Sequence, residues 1–286
     1  MKYIDLHVHS TESDGTYTPS QLVDYAIEKN LSAFALTDHD TTHGIAKALS
    51  AAKGKDIEVI PGIECSSSYN CRDVHIIGLC IDYKNTAFQK QIVLSRDSRD
   101  IRNKKMILLL QEKNLDITWE QMLEQFGEIV WTRAHFASLL FQKGYVTSVK
   151  EAFDRYLGDH APCYIPREKI TPEQTISSIL NAGGVPILAH PLLYGLGRDA
   201  LALLVKSFRA WGGIGIEAIY STYTPNNENT VRQLASKYDL ILSGGSDFHG
   251  LIKPNIDLGA GKGNLRIPRN ILTTIKSHSP NYTGRP

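Results

Sequence analysis

Lys2-Tyr-Ile-Asp-Leu-His-Val-His9 is a β-rich run, and in a strand alternate side chains point to opposite faces. His7 and His9 therefore project together, while Ile4, Leu6 and Val8 face the other way. Two imidazoles on one side of a strand can share a cation, although a lone His-x-His pair is more often satisfied in a core or on a surface. Working outward, β-rich runs recur at 32–37, 57–61, 74–81, 185–189, 215–219 and 240–243, which makes seven candidate strands. Amphipathic helical segments separate most of them. Thr18-Pro-Ser-Gln21 and Thr171-Pro-Glu-Gln174 each place a Thr N-cap before an N1 proline with Gln at N3, and open the apolar stripes Leu22/Ile27 and Ile176/Ile179/Leu180. The alternation predicts an α/β fold with a largely parallel sheet.

Between 96 and 167 the periodicity is helical throughout, predicting helices at 101–115, 119–126, 133–143 and 149–157, the last opened by a capping box at Ser148-Val-Lys-Glu151. The expected organisation is an α/β domain in two parts, 1–95 and 168–286, with an all-helical insert at 96–167. Thirty-one Lys and Arg against 30 Asp and Glu leave a net charge of +1, so no global field draws the protein to long duplex nucleic acid or to a membrane. Any phosphate must be met locally. Cys65, Cys71, Cys80 and Cys163 form no CxxC pair, the start lacks an apolar signal core, and no apolar run is long enough to span a bilayer, so a cytoplasmic protein is expected.

The compositional oddity is ten histidines. Several stand at predicted strand ends with carboxylates: Thr37-Asp-His-Asp40, Pro61-Gly-Ile-Glu64, Ala189-His-Pro191 and Asp247-Phe-His249. In a parallel α/β sheet or barrel the C-terminal strand ends form one rim, so residues distant in sequence converge there. His7, His9, His39, His75, His190 and His249 become neighbours on this reading, although His75, near the start of its strand, is the exception in position. Mixed imidazole and carboxylate donors suit Mn, Fe or Zn, and the lack of cysteine among them argues against a closed structural zinc site. Two such ions bridged by a carboxylate can activate water and clamp the oxygens of a displacement at phosphorus. Asp38 or Asp40 could orient His39, Glu217 reads as internal polar support, and Gly244-Gly245 as a tight turn that aims Asp247. Arg133 and His135, in Thr132-Arg-Ala-His135 at a predicted helix N-terminus, are candidates to receive an anion. Tyr220 and Tyr223 could stack on a base or bind phosphate.

D-x-H-x-H-S-x-x-S-D-G at 5–15, then T-D-H-D, P-G-x-E, A-H-P and S-D-F-H, run in an order that resembles the PHP (polymerase and histidinol phosphatase) family of metal-dependent phosphoesterases over nearly the whole chain. The resemblance implies a distorted (β/α)7 TIM-like barrel with the helical insert as a lid, and two or three divalent ions at the rim. By motif, His7, His9, Glu64 and Asp247 would bind the first ion, Glu64, His75 and His190 the second, and Asp14, His39 and His249 the third. A metal-bridging hydroxide held by Glu64, Asp247 and His190 would be the nucleophile. Thr132-Arg-Ala-His135, Gly144-Tyr-Val146, Glu151 to Gly158 and Pro166-Arg167 are similar to the branch that hydrolyses nucleoside 3′,5′-bisphosphates. That implies release of phosphate from the 3′ position to leave a 5′-mononucleotide. The alternatives are 5′-exonuclease action on short RNA, histidinol-phosphate hydrolysis and a non-catalytic metal-binding module. Where some members of the branch carry A-H-P-x-R-Y, this chain has Leu193 in place of the arginine, with Arg198 a conceivable substitute for that phosphate anchor.

Overall fold

The computed structural model describes residues 2–70, 72–159, 161–166 and 170–283; Cys71, His160 and Arg167 lie outside the described residues. The order of elements is β1 (Tyr3–Val8), α1 (Pro19–Glu28), β2 (Leu31–Leu36), α2 (Ile45–Ala51), β3 (Glu58–Tyr69), β4 (Arg72–Leu79), α3 (Thr86–Glu112), α4 (Trp119–Phe126), α5 (Arg133–Gln142) and α6 (Val149–Ala152) with a following π turn (Phe153–Leu157). After these come α7 (Pro172–Asn181), β5 (Val185–Leu188), α8 (Arg198–Ala210), β6 (Gly215–Tyr220), α9 (Pro225–Lys237), β7 (Ile241–Gly245), β8 (Ile267–Pro268), α10 (Arg269–Ser277) and α11 (Pro280–Thr283). The two Thr-Pro capping boxes form as read, at Thr18 and Thr171, and Leu22, Ile176 and Ile179 are buried below them. Ile27 and Leu180 instead lie at the edge of their stripes, 38% and 37% exposed. Ser148 does cap α6, but Glu151 does not complete a capping box: its carboxylate takes the backbone N–H and hydroxyl of Thr147, one residue earlier.

The strands form one eight-stranded sheet in the order β7-β6-β5-β4-β3-β2-β1-β8. It curls so far that its ends nearly meet, because a parallel bridge joins Val8 to Phe248 just beyond β7 and the N–H of Asp247 donates to the His7 carbonyl. The result is a nearly closed α/β barrel. Gly245 serves this closure and Gly244 the pairing with β6, rather than a turn of special backbone angle: a Cβ on Gly245 would lie 2.2 Å from the His7 Cβ, and one on Gly244 2.7 Å from Ile219. Ile4, Leu6, Ala33, Ala35, Ile60, Ile77, Leu79 and Ile187 fill one hydrophobic cluster, and a second cluster packs Leu22, Phe34, Ile45, Ile176 and Phe208. Side chains of opposite strand faces feed the two clusters, except in β1, where Ile4 and Leu6 lie in the first cluster but Val8, beyond a register irregularity after Asp5, joins the second rather than facing with them as expected.

The sheet is less uniformly parallel than the alternation predicts. β3 does not stop near residue 61 but continues to Tyr69, turns, and pairs antiparallel with β4, which pairs antiparallel with β5. The run Ser66-Ser-Ser-Tyr69 is too polar to read as a strand from its composition, and its pairing with Arg72–His75 supplies the missing support.

By compactness the described chain falls into two units, one of 1–92 with 170–286 and the other of 93–169. The second has its own core of Met106, Leu110, Ile117, Met122, Phe136, Leu140 and Leu157. Cys65, Cys80 and Cys163 are free buried thiols. No helix among the described residues is long and apolar enough to cross a membrane.

Candidate metal centre

The antiparallel run of β4 explains the one histidine that looked misplaced. Because β4 is reversed relative to its neighbours, its start lies where the parallel strands end, and His75 pairs across from Ser66 in β3. Backbone contacts then tie the site-bearing segments together in pairs. The N–H of Asp247 donates to His7 O at 2.9 Å, that of His9 to Phe248 O at 3.0 Å, and that of Asp40 to Glu64 O at 3.0 Å, while His39 and Glu64 form a parallel bridge. Three non-glycine residues here adopt left-handed backbone, Asp40, His190 and Asp247, with φ of 49°, 25° and 57°. Such conformations cost roughly 1–3 kcal/mol each and persist where the surroundings impose them.

The nine candidate ligands, His7, His9, Asp14, His39, Glu64, His75, His190, Asp247 and His249, are gathered into one cluster. At its centre the buried Glu64 carboxylate meets five imidazoles. Its Oε2 lies 3.2 Å from His7 Nε2, 3.2 Å from His9 Nε2 and 3.1 Å from His39 Nδ1; its Oε1 lies 2.8 Å from His75 Nδ1 and 2.9 Å from His190 Nε2. Asp14 faces His9, His39 and His249 at 3.5, 3.7 and 3.3 Å, and Asp247 Oδ1 faces His7, His9 and His249 at 3.6, 3.3 and 3.4 Å. Two donors bound to one ion at about 2.1 Å stand about 3.0–3.5 Å apart, which is the spacing seen. The donors fall into four overlapping groups: His9/Asp14/His39/His249, His7/Glu64/His190, His7/His9/Asp247 and His39/Glu64/His75. His9 thus joins the set implied for a third ion, and His75 and His190 approach the same Glu64 oxygen from different groups.

The donor chemistry passes a test made on the protein alone. Buried nitrogens are normally hydrogen-bonded, yet His7 Nε2, both ring nitrogens of His9, His39 Nδ1 and His190 Nδ1 have no hydrogen-bond partner among the described residues. A divalent cation that binds oxygen and nitrogen would satisfy one nitrogen on each ring that faces the centre, as at His7 Nε2, His9 Nε2 and His39 Nδ1.

Burial and charge act in opposite senses on these groups. Burial disfavours the charged form of His7 and His9, but the carboxylates more than offset it: Glu217, Glu64 and Asp247 raise His7 well above its ordinary value, and Asp247, Glu64 and Asp14 raise His9 to about 9. Burial prevails at His39, pushed down to about 3, and with Lys253 it lowers His249. Asp14, Glu64 and Asp247 are held well below the carboxylate range against their burial, chiefly by His39 for the first two and by Lys253 for Asp247. A metal ligand must be deprotonated, so an ion bound by His7 and His9 would displace protons from them near neutrality, and affinity is expected to rise with pH as these rings lose their protons. Titration calorimetry with Mn²⁺ at pH 7.5 in buffers of different ionisation heat is expected to show release of about two protons; heats independent of buffer would contradict this.

Five supporting groups surround the donors. Glu217, buried on β6, lies with Oε1 3.0 Å from His7 Nδ1 and accepts the His190 N–H at 2.8 Å through Oε2, so the support read for it is aimed at two ligands. Asp5 accepts the N–H groups of His7, Ser246 and Gly259, pinning β1 to the segments after β7. Asp38 accepts from Ser10 and Ser13, and Asp40 accepts the Ser66 N–H, so their hydrogen bonds hold the loop that carries Asp14 and the strand that carries Glu64. Lys253, absent from the sequence reading, places Nζ 2.7 Å from Asp247 Oδ2. Nothing in Ile252-Lys-Pro254 marks it, since only the return of that loop brings it there.

The substrate candidates fare differently. Tyr220 donates to Asp247 Oδ2 at 2.6 Å and is buried, so its hydroxyl serves a candidate ligand. Tyr223 is also buried, with its hydroxyl accepting the Leu192 N–H. Arg198 is exposed at the first turn of α8, and Leu193 is exposed. In the helical unit Thr132 caps α5, and His135 is buried, its Nδ1 accepting the Thr132 N–H to complete a capping box. Arg133 donates to Leu157 O and pairs with Asp159 at 2.8 Å.

The PHP domain model matches residues 5–159. A 3′,5′-nucleoside bisphosphate phosphatase of Chromobacterium violaceum is 33% identical over 266 residues, covering 91% of each chain. A 5′-3′ exoribonuclease of Haemophilus influenzae is 36% identical over 253 residues, 87% of this chain and 90% of its own. A solved structure of a proposed metal-dependent phosphoesterase from Bifidobacterium adolescentis superposes with a TM-score of 0.87 at 28% identity, covering 99% of both chains. The chain belongs to the PHP family and is a phosphoesterase of that family.

Proposed function

We propose that the protein hydrolyses the 3′-phosphate of nucleoside 3′,5′-bisphosphates, leaving a 5′-mononucleotide and inorganic phosphate. The observation that carries this reading is the Glu64 carboxylate with five imidazoles around it, a donor set for two or three divalent ions of the Mn, Fe or Zn type. Ions so held supply Lewis-acid polarisation of the phosphoryl oxygens and activation of water at neutral pH. The chain's own residues do the rest. Glu64 bridges the donor groups, Asp14, His39 and His249 complete the set on one side, and Glu217 orients His7 and His190. Arg133 is assigned a phosphate-binding role on the basis of its guanidinium fork. The phosphatase relative and the near-zero net charge support a small substrate met by local charge.

The exoribonuclease relative favours a second reading, removal of nucleotides from the 5′ end of short RNA with the same centre. Timed hydrolysis of adenosine 3′,5′-bisphosphate beside a 5′-phosphorylated short RNA, both with Mn²⁺, separates them. The first reading expects the larger kcat/KM for the bisphosphate; a larger value for the RNA would replace it with the second. In either case the protein is proposed to act in the cytoplasm.

A further inference from the structure

The side chains around Asp247 divide its two oxygens between two tasks. Oδ1 faces His7, His9 and His249 at 3.3–3.6 Å. Oδ2 is turned away from them and receives two donors, the Tyr220 hydroxyl at 2.6 Å and the Lys253 ammonium at 2.7 Å. Tyr220 is buried and spends its one proton there. Lys253 is different in kind: its side chain is 34% exposed, and an ammonium has three N–H donors. It follows His249 by four residues in a loop where Leu251 is 78% exposed, so solvent reaches this side of the cluster. The cation stands across one carboxylate from the donors that face the ions, a separation of about 5 Å from Oδ1 when the width of a carboxylate is added to one charged hydrogen bond. A phosphoryl oxygen that accepts one hydrogen bond from the ammonium covers that distance.

We infer that Lys253 is a substrate-contacting residue of the centre: one N–H is fixed on Asp247 Oδ2, and its remaining donors take a non-bridging oxygen of the phosphoryl group being cleaved and then of the phosphate released. The inference rests on the phosphoesterase reading and adds to it a cation supplied by the protein itself. Asp247 has two roles in this arrangement, ligand through Oδ1 and anchor of the ammonium through Oδ2. Arginine could keep both contacts, and methionine, of similar length and shape, could keep neither.

The test uses Lys253→Met and Lys253→Arg in the full chain, with inorganic phosphate as the probe. Three quantities are measured: bound Mn²⁺ per chain, the inhibition constant of inorganic phosphate, and KM and kcat for adenosine 3′,5′-bisphosphate. Lys253→Met is expected to weaken phosphate inhibition and raise KM about tenfold or more, the size of one charge-assisted hydrogen bond, with Mn²⁺ content unchanged. Lys253→Arg is expected to recover most of the phosphate affinity. An unchanged inhibition constant in Lys253→Met, beside an active wild type, overturns the inference and leaves the function standing. So does a loss of phosphate affinity that saturating Mn²⁺ restores, since Lys253 would then act only through Asp247. A wild type with no phosphoesterase activity removes the reading on which the inference rests.

Discussion

Glu64→Gln is expected to lower turnover by at least about 10³-fold, the upper end of what removal of a single preorganised electrostatic group costs. The substitution keeps the shape of the side chain but replaces one oxygen by an amide nitrogen that cannot bind a cation. Because Oε1 serves His75 and His190 while Oε2 serves His7, His9 and His39, either placement of the amide breaks one side of the cluster. Metal binding should suffer with the chemistry. The rise in Tm that a saturating ion gives the wild type, through binding to the folded state alone, should be largely lost. A variant that loads a full complement of Mn²⁺ and turns over at the wild-type rate would contradict the central position given to Glu64.

Glu217→Gln tests the layer behind the ligands and should fail in a different way. Glu217 accepts through both oxygens, Oε1 beside His7 Nδ1 and Oε2 from the His190 N–H, and thereby leaves His7 Nε2 free to face the centre. Glutamine retains one acceptor and sets an N–H₂ against a donor at the other position. The expected result is a roughly 10- to 100-fold loss of metal affinity, as for other carboxylates that orient a metal-bound histidine. Activity should return substantially at saturating Mn²⁺. If affinity is unchanged, the orientation of His7 and His190 is secured by packing instead.

Much of this centre was legible in the sequence because two short-range rules reached it. The period of a strand places His7 and His9 on one face, and the convergence of strand ends gathers His39, His190, Asp247 and His249. His75 was legible as a residue type but not as a position, since reversal of β4 is a pairing decision made across the sheet and leaves no mark in the local pattern. For the same reason Glu64 was read at a strand end, whereas β3 carries it in mid-strand. Gly245 shows the limit from the other side: glycine there signals a close approach, but only the closed barrel reveals that the approaching group is the His7 backbone and Cβ. Tyr220, Tyr223 and Lys253 acquire their roles through hydrogen bonds to residues 27, 31 and 6 positions away, of which no periodicity gives notice.

The carboxylate-centred cluster joins composition to chemistry: its unpaired donors fit divalent ions, and such ions are proposed to act on phosphate. Protein purified without chelator, reconstituted with Mn²⁺ and desalted can be analysed for metal by mass spectrometry while phosphate release from adenosine 3′,5′-bisphosphate is followed on the same sample. The account predicts at least two Mn²⁺ per chain, a number the overlapping donor groups would accommodate, and release of phosphate that stops when the metal is stripped. Fewer than two ions per chain together with no phosphate release would contradict it.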